Sequence, residues 1–169
     1  MITQFLPEFK VLEVNDLVGL RTGHIISQLP VGSSIAKVTK GNSSFIENGI
    51  IVGIDANGQV VNYTTGMNTM FVHFTEELNT IISGLKYFAV PVEDETYIRC
   101  VALYTGDSFT TNNYVQGSVE GNGYAKVVGG VLTLQAAADK DTAFIAKKST
   151  MPDGSVGYEF TFYRIPTNA

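Results

Sequence analysis

The sequence predicts a mainly β fold, an antiparallel β-sandwich or a closed barrel with one short helix, on three observations. Apolar residues recur mostly at spacing two, the period of a strand with one covered face. Asn48-Gly49, Asn57-Gly58, Asn122-Gly123, Gly129-Gly130 and Asp153-Gly154 interrupt the runs, and such pairs tolerate the positive φ of tight hairpin turns. About ten strand-like segments share the 169 residues, and so many strands in one domain close into a sandwich or a barrel.

Taken in order, residues 9–14 and 34–39 are short strand candidates. Ile50, Val52 and Ile54 point one way in a strand that meets Asp55-Ala56-Asn57-Gly58, after which Gln59-Val60-Val61-Asn62-Tyr63 returns as a hairpin. One stretch breaks the period. Thr75 suits a helix cap, Glu76 and Glu77 suit the positive end of a helix dipole, and Leu78, Ile81, Ile82 and Leu85 follow helical spacing. This predicts the one helix over about 75–84, ended by Gly84.

Residues 86–92 then read as a strand, where Pro91 implies a bulge or a sheet edge. The run 97–104 is apolar on both faces except at Arg99, as in a central strand covered on both sides. Residues 105–122 are the most loop-like part of the chain. Residues 124–128 pair with 131–134 across Gly129-Gly130. Residues 142–147 pair with 157–163 around a polar loop from Lys148 to Val156, and Tyr158, Phe160 and Phe162 share one face of the returning arm.

Composition bounds the function. Hydrophobic residues make up 44% and charged residues 16% of the chain, and no apolar run reaches the length of a membrane-spanning helix, which argues against a disordered chain and a helical membrane protein. Eleven basic against 16 acidic residues leave a net charge of −5, so neither nucleic acid nor an anionic membrane is an expected partner. The single cysteine, Cys100, supports neither a disulfide framework nor a multi-thiolate metal site. The opening residues lack a secretory signal, since Thr3, Gln4, Pro7 and Glu8 interrupt the apolar stretch. The expected organisation is a single β-rich domain over 1–169, with 1–8 as an extended N-terminal arm. Ile2, Phe5, Leu6 and Phe9 on and beside that arm are costly to leave in water and are the candidate partner-binding residues.

No catalytic, cofactor or metal residues are expected. The two histidines, His24 and His73, stand apart, with no Gly-x-Ser-x-Gly nucleophile and no His-x-His pair. Asp55-x-Asn57-Gly58 starts like a calcium loop, but Gly66 stands where the closing carboxylate belongs, and a hairpin accounts for the same residues. Glu93-Asp94-Glu95 reads as a solvated loop protecting a strand edge. The glycines from 117 to 130 precede no Lys-Ser/Thr and no helix, so they form no phosphate loop. Cys100, in an apolar strand, reads as an inert buried thiol. Tyr114 beside Asn112 and Asn113 has the composition of a sugar-binding surface, although the chain has no Trp.

The glycine-punctuated hairpin at 48–63, the Phe-Thr-Glu-Glu-Leu stretch at 74–78 and the Met151-Pro152-Asp153-Gly154 loop before an aromatic strand, in a chain low in charge and rich in Gly, Asn and Thr, resemble tailed-bacteriophage head decoration, or cement, proteins. The chain is longer than the smallest of them. The resemblance implies a non-enzymatic virion protein on the capsid exterior, bound to the major capsid protein and self-associating, often as a trimer. It carries over no catalytic residues. The alternative is a carbohydrate-binding or adhesin-like β module, such as a head-fibre or tail accessory protein.

Overall fold

A computed structural model describes residues 10–75, 77–79, 85–87, 89–92, 96–152 and 154–167. The arm residues Ile2, Phe5, Leu6 and Phe9, and the acidic run 93–95, lie outside the described residues. In chain order the elements are β1 (Leu12–Asp16), α1 (Val18–Thr22), β2 (Ile25–Ile26), β3 (Val38–Lys40), β4 (Ser43–Glu47), β5 (Ile51–Ile54), β6 (Val60–Asn62), β7 (Phe71–His73), β8 (Glu77–Asn79) and β9 (Leu85–Tyr87). There follow β10 (Ala89–Pro91), β11 (Cys100–Ala102), β12 (Ser108–Thr111), β13 (Tyr114–Val115), β14 (Gly123–Val128), β15 (Val131–Gln135), β16 (Thr142–Thr150) and β17 (Val156–Phe162).

The fold is mainly β and sandwich-like, with no closed barrel among the described residues. A seven-stranded sheet in the order β1-β12-β17-β16-β14-β15-β13 faces a five-stranded sheet in the order β2-β11-β7-β5-β6, and a three-stranded sheet, β10-β4-β3, forms a further layer. All pairings within these sheets are antiparallel except β13 with β15. The five-stranded sheet is covered on both faces. Ile51, Val72 and Val101 join Phe109, Phe144, Phe160 and Phe162 of the large sheet in one core. From the opposite face Val52, Phe71, Cys100 and Ala102 pack with Ile46 of β4 and Val90 of β10. That arrangement accounts for the unbroken apolar run around Cys100.

The aromatic arm of β17 organises the larger core. Tyr158, Phe160 and Phe162 are buried on one face, and Phe160 meets Phe109 and Phe144 with ring centroids 6.0 and 6.3 Å apart. Replacing such a ring by alanine typically costs about 3–5 kcal/mol through lost transfer energy and the cavity left behind.

Three expectations change on contact with the structure. Residues 77–79 form β8, antiparallel to β9, so the helix expected over 75–84 is not formed there. Its presumed cap is occupied: the Thr75 N–H donates to Asn48 Oδ1 at 2.9 Å, the Thr75 carbonyl accepts from Asn48 Nδ2 at 2.9 Å, and the Arg99 N–H donates to the Thr75 hydroxyl oxygen at 2.9 Å. The short helix is instead α1, whose Gly19 packs against Ala102 of β11 where a Cβ has no room; Asp107 Oδ1 accepts its first N–H, from Val18, at 2.9 Å. The stretch 105–122 contains β12, a central strand held by buried Phe109. The polar loop expected from Lys148 to Val156 shrinks to 151–155, because β16 and β17 stay paired out to Thr150 and Val156.

The remaining hairpins form as expected. Gly58 ends the β5–β6 turn and Gly129-Gly130 the β14–β15 turn, all with positive φ. Gly123 opens β14 with no positive φ, so Asn122-Gly123 is not a tight turn; the Asn122 side chain accepts the Lys148 N–H at 2.9 Å instead. Pro91 lies in β10, an edge strand of the three-stranded sheet, where its missing N–H leaves no ladder bond broken.

Candidate functional site

The end of the sandwich opens into a groove. In the antiparallel register of β16 and β17, directly paired residues share a face. Phe144 pairs with Phe162, Ala146 with Phe160, Lys148 with Tyr158 and Thr150 with Val156. Phe144, Phe162, Ala146, Phe160 and Tyr158 are buried in the core, whereas Lys148, Thr150 and Val156 are exposed. Lys148 is therefore an inward-parity lysine at the point where the core opens to water, and Tyr158 is the last ring of the core. The segment 116–120 forms the facing wall. Gly117 lies so close to the Leu134 carbonyl that no side chain fits between them, and Gln116 Nε2 donates to the Val119 carbonyl, which ties the wall to β15 and to itself.

The groove encloses about 490 Å³ and is lined by Tyr114, Gln116, Ser118, Glu120, Lys148 and Tyr158, with Gly117 and Val156. Tyr114 and Tyr158 meet edge to face, their centroids 4.9 Å apart, and burial followed by the neighbouring Tyr158 hydroxyl pushes the Tyr114 phenol upward in pKa. Lys148 Nζ donates to the Glu120 carbonyl at 3.3 Å. Asn112 and Asn113 stay out of the groove. Asn112 accepts the Val11 N–H at 2.7 Å, and Asn113 donates to the Asn48 carbonyl at 2.7 Å.

The outward face of the large sheet is a second surface. A row of paired residues crosses it: Asp16, Ser108, Thr161, Ile145, Tyr124 and Gln135. Only its first member is charged, and Ile145 at its centre is 47% exposed. In the next row Lys147 stands opposite Glu159, a neutral pairing.

The residues weighed for chemistry have structural employment. His73 is fully buried. Its Nδ1–H donates to the Glu47 carbonyl at 2.9 Å, and since that oxygen can only accept, Nε2 is left to accept from the Thr75 hydroxyl at 2.9 Å. Burial, opposed by the Glu47 carbonyl, lowers its pKa to about 4, so the ring is neutral near pH 7. His24 is exposed, 5.4 Å from the Tyr104 ring. Asp55 Oδ1 accepts the N–H groups of Asn57 and Gln59 at 2.9 and 2.8 Å, the self-satisfied carboxylate of an Asx turn. Cys100 is buried with its thiol pushed up to about 12 by desolvation. Among the described residues no group of three or more His, Cys, Asp or Glu is placed to hold a metal ion. No helix among them is long and apolar enough to cross a membrane.

Sequence reasoning reached Tyr114 but missed Lys148, Tyr158, Ser118 and Glu120. The available signal was parity: Lys148 continues the alternation of Phe144 and Ala146, which a loop boundary at residue 148 concealed. The chain matches no protein-family model, no curated protein and no solved structure.

Proposed function

We propose that this chain is a non-enzymatic virion structural protein that binds the outside of a phage capsid and stabilises the head. The observation that supports this reading most is the outward face of the large sheet. A solvated sheet face is ordinarily studded with charge, whereas the row Asp16, Ser108, Thr161, Ile145, Tyr124 and Gln135 is charged only at its edge, with Glu13, Glu159, Lys147 and Lys126 on the rows beside it. An uncharged central strip bordered by charge suits docking on a protein lattice, where many copies of a modest interface add up. Ile145 and the Tyr124 ring supply its apolar centre, and Lys147 with Glu159 its polar border. The major capsid protein is the partner this reading names, and self-association, as a trimer, completes it. The arm residues Ile2, Phe5, Leu6 and Phe9 belong to the same proposal on their sequence alone.

Density-gradient-purified particles from the source provide the test, with this chain quantified by mass spectrometry against the major shell protein. A copy number at a fixed simple fraction of the shell subunits is the expected result. A few copies per particle would move the chain to a vertex or fibre, and absence from the particles would overturn the reading.

A further inference from the structure

We propose that the groove between β16–β17 and the 116–120 segment is a binding site for a neutral saccharide. Its volume of about 490 Å³ lies within the range of about 300–1,000 Å³ typical of small-ligand sites. Size alone would carry little. The decisive feature is Tyr158, a residue only 1% exposed whose hydroxyl makes no hydrogen bond to another described residue. Among the described residues no buried side-chain oxygen or nitrogen lacks a partner. The Tyr158 hydroxyl therefore meets solvent where its ring lines the groove, at the bottom of the cleft. A ring fixed by the core, ending in an unclaimed hydroxyl, is a preorganised donor and acceptor.

The surrounding chemistry selects the ligand class. Ser118 and the Glu120 carboxylate make no hydrogen bond to another described residue either, and the Tyr114 ring meets Tyr158 edge to face, centroids 4.9 Å apart. Donors and acceptors thus alternate around an aromatic floor. Lys148 and Glu120 place one positive and one negative charge on the same cleft, so an anionic ligand meets the carboxylate and a cationic one meets the ammonium. A neutral polyhydroxylated ring satisfies both: vicinal hydroxyls donate to Glu120 and accept from Lys148, while the C–H face of the sugar rests on Tyr114. This inference does not depend on capsid binding, because the soluble chain alone contains every group it uses.

The test titrates the soluble protein with glucose, galactose, N-acetylglucosamine and their short oligomers, followed by amide chemical shifts and calorimetry. Saturable shifts confined to 114–120, 148 and 156–158 are expected. Tyr158→Phe, which keeps the buried ring, should weaken binding about tenfold, the usual effect of one lost hydrogen bond to a ligand. Glu120→Gln, at an exposed site that does not bear on folding, should weaken it by a similar factor. Absence of saturable shifts with every probe, shifts elsewhere on the molecule, or unchanged binding by both variants would overturn the proposal. So would tighter binding of glucuronic acid or glucose phosphate than of the neutral sugars.

Discussion

Acidification should destabilise this protein through one residue. His73 is buried with both ring nitrogens committed, Nδ1 as donor to the Glu47 carbonyl and Nε2 as acceptor from Thr75. Protonating Nε2 turns this acceptor into a donor facing a hydroxyl that would have to reverse, and places a charge beside Cys100, its partner on β11. The folded pKa is about 4 against an ordinary 6.5. Between those values the unfolded chain holds a proton that the folded chain does not, so stability is complete above pH 6.5 and falls as the pH falls. With these values the loss is about 2 kcal/mol at pH 5 and about 3 kcal/mol at pH 4. That is a large share of the roughly 5–15 kcal/mol stability of a typical domain. Carboxylates also titrate in this window, so the assay compares urea unfolding free energies of wild type and His73→Asn at pH 7, 6 and 5. Asparagine keeps a donor for the Glu47 carbonyl and removes the titrating group. The variant starts lower, but its free energy should decline less steeply, by about 2 kcal/mol over the interval. Parallel pH profiles, or an imidazole of His73 that titrates near 6.5 in the folded protein by NMR, would refute the reasoning.

Other expectations follow from single contacts. Asn48→Ala removes the side chain that pairs both the N–H and the carbonyl of Thr75 at 2.9 Å; leaving these groups unmatched should cost about 2–4 kcal/mol, read by chemical denaturation. Cys100 should resist a thiol reagent in the native state and react fully in denaturant, since it is buried and its pKa is raised to about 12; rapid native labelling would contradict that placement. Gly117→Ala forces a Cβ into the Leu134 carbonyl, so it should lower the thermal midpoint and displace the groove wall, visible as shifted amides over 116–120.

The strand periodicity around Cys100 and the glycine turns at 58 and 129–130 were legible because each is local. A two-residue period and a positive φ are properties of adjacent residues, and nothing distant overrode them. The helix expected over 75–84 failed for the opposite reason. Its signals, a threonine cap and helical apolar spacing, are real local preferences, but Asn48, 27 residues earlier, takes both backbone groups of Thr75, and Arg99 takes its hydroxyl. The helix that does form, α1, carries no acidic residue in its first turn and no side-chain cap of its own. Asp107 caps it from 89 residues away, a partner no sequence window contains. The groove was half legible: Tyr114 could be singled out by composition, whereas Lys148 acquires meaning only through its register opposite Tyr158.

That register also makes the two proposed surfaces separable. Along β16, Ile145 and Lys147 point outward and Ala146 and Lys148 inward, so adjacent residues serve opposite faces of one sheet. A substitution on one face should leave the other intact when the strand itself stays paired. Ile145→Lys puts a charge at the centre of the outward row and should weaken attachment to particles at least tenfold, with saccharide affinity unchanged. Glu120→Gln should do the reverse. Sites without shared partners contribute additively, so the double variant should show both losses and no more. Attachment that falls with Glu120→Gln as well would mean that the groove is itself the docking surface, and the division of labour between the two faces would be wrong.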